Sequence, residues 1–209
     1  MAKNDPYEAL RFKEFNIFLL LRFALVLGWS MQFVVIEWQV YALTEDPLSL
    51  GIIGLCEFLP AFLLAPFAGH IVDKKEKRNL FSLCIALFSL ISFGLFWLTS
   101  EYIEANWETG SILLGIYALV FFGGVLRAFF GPTIFSLIAL LVPKRAYPNA
   151  ATWSSSTWKG ANVFGALCAG FLIAWIGVHY TLGIIFILVM FGETFVATLV
   201  TSVALGTKR

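Results

Sequence analysis

Residues 69–78 read Gly69-His70-Ile71-Val72-Asp73-Lys74-Lys75-Glu76-Lys77-Arg78, and an apolar stretch stands on each side, 49–72 before and 79–100 after. Each stretch is long enough to cross the hydrocarbon core of a bilayer as a helix, which takes about 20 apolar residues. Cations between two such stretches mark the cytoplasmic side, because loops rich in Lys and Arg stay there. The same alternation extends outward from this loop. Lys3, Arg11 and Lys13 precede the first apolar segment, Lys144 and Arg145 lie between the fourth and fifth, and Lys208 and Arg209 follow the sixth. The intervening gaps carry Glu45 and Asp46, then Glu101, Glu104 and Glu108, then no charge. The pattern predicts a polytopic membrane protein with both termini in the cytoplasm and spans over 16–43, 49–72, 79–100, 110–142, 149–176 and 180–205.

Composition agrees. Of the 209 residues 60% are hydrophobic and 13% charged, about half the charge of a soluble domain, so lipid and not water is the expected solvent. The net charge of +1 makes no case for nucleic acid, since the cations gather on one side. The segments are continuously apolar and do not alternate, which predicts helices and excludes a barrel. The expected fold is all-α, a polytopic helical bundle over 16–205. Residues 1–15 are expected to form a charged tail with an amphipathic surface stretch (Tyr7, Leu10, Phe12, Phe15), and 206–209 the start of a linker. The polar turn Thr44-Glu45-Asp46-Pro47 and the prolines Pro143 and Pro148 punctuate two of the gaps. The first apolar stretch is too long for a cleavable signal peptide. Cys56, Cys84 and Cys168 stand singly and read as small hydrophobes, so neither a metal site nor a cofactor is implied. The only histidines, His70 and His179, fall at opposite membrane faces, which argues against an intramembrane enzyme.

Six ionisable residues lie inside the segments: Arg22, Glu37, Glu57, Arg127, Lys159 and Glu193. A cation at mid-helix costs about 2.5–3.5 kcal/mol on insertion scales, so such residues are expected to pair or to face a polar cavity. Arg22, near the cytoplasmic end, is expected to snorkel. The others are candidates for a transport path. Glu37 and Glu57 are candidates for proton coupling, because a low dielectric favours reversible protonation of a carboxylate. Purely structural ion pairs, such as Glu193 with Lys159 or Arg127, are the competing reading. Gly123, Arg127 and Gly131 share one helical face, where the glycines leave room for a ligand or for close packing; Pro132 follows. Further on, Ala161/Gly165/Ala169 and Ala166/Gly170/Ala174 form two small-residue stripes that read as packing surfaces. Trp29, Phe33, Trp38, Phe129 and Phe130 suit an apolar-walled site, although most aromatics are expected to face lipid.

The loop's G-x-x-x-D-(K/R)-x-x-(K/R)-(K/R) form resembles the hallmark loop of the major facilitator superfamily of secondary transporters. Arg127 with Gly131 resembles that family's second motif, whose arginine is associated with proton transfer. The run from Pro143 through Asn149-Ala150 to Gly170 is similar to the drug and siderophore exporters, which include macrolide efflux and enterobactin export proteins. That branch has Gly-Pro and Gly-Gly where this chain has Gly165-Ala166 and Ala169-Gly170.

The resemblance implies proton-coupled export of a small amphipathic molecule by alternating access across the plasma (inner) membrane. Gly69, Asp73, Lys74, Lys77 and Arg78 would form the conformational gating loop, with Asp73 steadying the outward-open state against a helix N-terminus. Asp73 also offers Lys144 or Arg145 a partner across the cytoplasmic face. Family members have two six-helix halves, so the chain reads as an N-terminal half. Its expected partners are the bilayer, a small-molecule substrate, protons, and a C-terminal half or a second copy. The alternatives are a lysophospholipid flippase of the same superfamily and a six-helix scaffold without transport.

Overall fold

The computed structural model describes residues 6–206, together with their side chains except Arg78 and 193–206. The elements are α1 (Lys13–Thr44), α2 (Pro47–Lys74), α3 (Lys77–Leu98), α4 (Glu101–Asn106), α5 (Thr109–Leu141) and α6 (Tyr147–Gly206). Single 3₁₀ turns occupy Ala9–Arg11 and Lys144–Ala146. No strand occurs among the described residues. Five helical stretches are long and apolar enough to cross a membrane: α1, α2, the Asn79–Leu98 part of α3, α5, and Lys144–Gly192. The fold is therefore an all-α membrane bundle.

The connections follow from local chemistry. Glu45 ends α1 in the left-handed region (φ 51°), the conformation that commonly stops a helix. Asp46 then caps α2 by accepting the Leu48 N–H at 3.0 Å, and Pro47 stands at N1, where its missing donor costs nothing. A two-residue turn of this kind forces α1 and α2 to run antiparallel. We call the end of the bundle near Lys74–Lys77 the basic end and the end near Glu45 the acidic end.

At 60 residues, α6 would be about 90 Å long if straight, roughly three bilayer cores. It is not straight. Gly177 adopts φ 80°, ψ 175°, a region open essentially to glycine alone. A Cβ on Gly165 would lie 2.8 Å from the Leu27 carbonyl oxygen, while one on Gly28 would lie 3.2 Å from Leu188 Cδ2. Residues on opposite sides of the break thus meet α1 at the same height. The Gly192 position continues the second contact line, 3.3 Å from Leu25 Cδ2. The two arms of α6 therefore double back at Gly177 and grip α1 from two directions.

Otherwise α2 packs chiefly on α5, and α3 divides its contacts between α5 and α6. Phe15, Ile36, Phe88, Ile85, Leu95, Ile116, Leu182 and Ile185 form the fully buried centre. Leu55, Phe58, Phe62, Phe67, Leu83 and Leu90 project outward, as the outside of a bundle in lipid requires. Of the two small-residue stripes, Ala161, Gly165 and Ala169 are buried, whereas Ala166, Gly170 and Ala174 are exposed.

Three features differ from the sequence reading. α1 begins at Lys13 and Phe15 is fully buried, so the helix reaches back into the expected tail. The remaining segment, Pro6–Phe12, is docked. Asn149 Nδ2 and Trp153 Nε1 donate to the Pro6 carbonyl at 2.5 and 3.0 Å, the Ala9 N–H donates to Asn149 Oδ1 at 3.0 Å, and Arg145 pairs with Glu8 at 2.8 Å. The acidic gap 101–108 contains α4, whose Ile103 is fully buried and whose Glu104 accepts from Gln39 Nε2 at 2.9 Å. That bond ties the acidic end of α1 to α4.

Candidate functional site: a carboxylate and a guanidinium between two helices

α2 and α5 touch at backbone level. A methyl group at Gly124 would run into the Glu57 carbonyl oxygen and come within 2.6 Å of Pro60 Cγ, so only glycine permits this approach. Arg127, one turn along α5, is brought alongside Glu57. Arg127 Nη1 donates to Glu57 Oε1 at 2.8 Å. The same oxygen accepts the Trp29 indole N–H from α1 at 3.1 Å. Trp29 is fixed in turn by stacking on Phe88, centroids 4.6 Å apart, and by an edge contact with Phe130 at 5.7 Å. The carboxylate is thus held by donors from two helices.

The pair is lopsided in exposure. The Glu57 side chain is 8% exposed and that of Arg127 is 52%. The acid faces inward and the guanidinium outward. A buried ion pair stays intact because removing either partner strands the other charge.

The structure distributes the remaining candidates. Glu37 is half-buried on α1, two turns from Trp29 on the same face. Lys159 is exposed on α6, and no ion pair joins it to a described residue. The Glu193 side chain lies outside the described residues, and the acid beside Arg127 is Glu57. Arg22 is half-buried, and its Nε and Nη1 are buried with no hydrogen-bond partner among the described residues. At the basic end Gly69 is half-buried and Asp73 and Lys74 are exposed, while Lys77 Nζ donates to the Asp73 carbonyl at 2.9 Å. The Arg78 side chain lies outside the described residues. Arg145 turns to Glu8, not to Asp73. Gly123, Gly131 and Gly170 have no neighbouring atom within 4 Å of a Cβ position, so the close approaches to another helix's backbone fall on Gly124 and Gly165. Among the described residues no cluster of His, Cys, Asp and Glu is placed to hold a metal ion.

Sequence reasoning missed Trp29 as a partner of Glu57, and Gly124 as the point of contact. Trp29, Phe33 and Glu37 follow at four-residue intervals, a spacing that places the tryptophan on the same face as an acid already singled out. Gly124 carried no signal that set it apart from its neighbour Gly123.

An all-helical bundle of long apolar helices with an ion pair at their depth defines a multi-pass membrane protein. The family model of the Major Facilitator Superfamily matches residues 18–206, and the chain belongs to that superfamily of membrane transporters. No curated protein matches the sequence significantly.

Proposed function

We propose that this chain is a six-span bundle of a secondary active transporter, which couples proton movement to export of a small amphipathic, drug- or siderophore-like molecule by alternating access. The reversal at Gly177 supports a sixth crossing, with α6 passing the bilayer once on each side of the break. The basic residues at one end of the bundle support cytoplasmic termini, and we assign the chain to the plasma membrane. The observation that carries the reading is the Glu57–Arg127 pair, with its acid buried and its cation half exposed at membrane depth. Glu57 takes the proton, and Arg127, then unpaired, answers on the exposed face. Glu37 and Lys159 add charge to the same path, and Glu193 remains a candidate on its helix.

Exposed Arg127 and Lys159 side chains at this depth are costly against lipid. Their face is accordingly assigned to a second helical bundle, either a complementary half or a second copy, with the substrate between the two. The loop with Gly69, Asp73, Lys74, Lys77 and Arg78 gates the movement of one bundle against the other at the basic end.

The test is transport in proteoliposomes under an imposed proton gradient, with ethidium, a macrolide and a fluorescent lysophospholipid as probes. The chain is assayed alone and with a second six-helix bundle. Gradient-driven movement of ethidium or the macrolide that disappears in Arg127→Ala and Glu57→Gln is expected only with the second bundle. Equal transport by the wild type and both variants removes the pair from the path. Transport by the lone chain removes the need for a complementary half. Movement of the lysophospholipid alone replaces export of drug-like molecules with lipid flipping.

A further inference from the structure

Glu57 Oε1 accepts both the Arg127 and the Trp29 hydrogen bonds, and Oε2 accepts none from a described residue. Beside this carboxylate, between α1, α2, α3 and α5, lies a partly open cavity of about 30 Å³. Most of its wall is apolar and includes Phe88 and Ile91, but Gln32 of α1 also faces it. Gln32 is 8% exposed and meets Ser92 Oγ at 2.5 Å through one end of its amide. Whichever way that amide is turned, its other polar atom has no partner among the described residues. Two hydrogen-bonding groups from different helices thus border one small space, and each has bonding capacity left over.

Dry cavities in proteins are apolar, whereas a polar cavity with about 10–15 Å³ of usable space per molecule takes up water. This one has room for one or two. A carboxylate oxygen and an amide left unbonded in a recess with mostly apolar walls would each lose the free energy of a missing hydrogen bond. We propose that the cavity is a water-binding site, in which one or two ordered water molecules bridge Glu57 to the Gln32 amide. The water lies on the core side of the carboxylate, and Arg127 on the exposed side. Glu57 therefore keeps a hydrogen-bond partner when the guanidinium moves away. The inference rests on packing and polarity alone and stands or falls apart from the transport reading.

Radiolytic hydroxyl-radical labelling of the full chain in nanodiscs tests it, because ordered water generates radicals beside the side chains it touches. Phe88 and Ile91 are compared with Phe15 and Ile116, residues of the same types that are equally or more deeply buried. The expected result is labelling of Phe88 and Ile91 several-fold above Phe15 and Ile116. Gly123 also borders the cavity, and no atom lies within 4 Å of its Cβ position, so Gly123→Val fills the space without a first-atom clash. That variant, and Gln32→Leu, should bring Phe88 and Ile91 down to the level of the controls. Wild-type labelling of Phe88 and Ile91 no greater than that of Phe15 and Ile116 means a dry cavity and overturns the proposal. This comparison needs no variant, so it decides the matter even if Gly123→Val fails to fold.

Discussion

Arg127 on α5 and Arg22 on α1 are both arginines within apolar helices, and their surroundings are opposite. Arg127 is half exposed, yet it has a carboxylate at 2.8 Å. Arg22 has its Nε and Nη1 buried with no partner among the described residues. Among the described residues, depth along a helix therefore does not decide whether an intramembrane charge is answered. What decides it is whether the facing helix brings an acid to the right height, and α2 does so because Gly124 lets it approach to backbone contact. The α2–α5 contact is organised around a charge. Among the described side chains, the contact of α1 with the second arm of α6, where Gly28 meets Leu188 and Leu25 meets Gly192, is apolar packing.

The largest effect that tests this contrast is expected at Arg127. Arg127→Leu leaves Glu57 buried without its cation. Breaking a buried pair from one side costs about 3–5 kcal/mol, and the half-exposed guanidinium puts this site at the low end. Glu57→Leu combined with Arg127→Leu should recover most of that loss, because no charge is then stranded. Denaturant titration in mixed micelles, run as a double-mutant cycle, measures it. Strictly additive losses would show that the two residues act independently.

A smaller effect is expected from moving the helices apart. Gly124→Ala inserts a methyl group against the Glu57 backbone and Pro60, an overpacking cost of about 1–3 kcal/mol. The same change at Gly123 meets open space and should be close to neutral. Paired thermal melts of the two variants compare neighbours that differ only in which face of α5 they occupy. Equal losses would mean that α2 yields readily and that Gly124 does not set the approach.

These neighbours show why the bundle was more legible than the site. Spans announce themselves in one dimension: the apolar runs around 69–78 already marked helices whose ends fall within a few residues of those observed. Partners do not. Glu57 and Arg127 are 70 positions apart, and nothing in their local sequence prefers Glu57 to Glu193 as the acid beside Arg127. The docked segment was missed for the same reason, since Pro6 and Asn149 are 143 positions apart. Gly177 was legible as a gap between apolar runs, but not as a single-residue break in otherwise continuous helix. α4 was hidden because its acidic residues read as loop chemistry, while its one buried anchor, Ile103, is not periodic with anything nearby.

The docked segment sets up a further comparison, between the basic end and the middle of the bundle. Asn149 both donates to Pro6 and accepts from Ala9, so Asn149→Ala removes two hydrogen bonds at once. At about 1 kcal/mol each, the loss is about 1–2 kcal/mol. It should be local. Hydrogen exchange at the Ala9 amide is expected to accelerate roughly tenfold while α5 amides near Arg127 hold their rates. Acceleration at both places would mean that the basic end and the ion pair open together.

The smallest effect is expected at Arg22, and its sign is informative. A guanidinium with two buried nitrogens lacking partners among the described residues gains little from its charge through them and forgoes the solvation that water would give it. Leucine keeps most of the apolar bulk of the side chain and removes the unmet donors. Arg22→Leu should therefore change stability by less than about 1 kcal/mol, towards greater stability, in the same micellar titration used for Arg127. A loss as large as that of Arg127→Leu would show that Arg22 is answered by a group beyond the described side chains. The two arginines would then be alike in kind, and the contrast between a charge-organised and an apolar contact would fail.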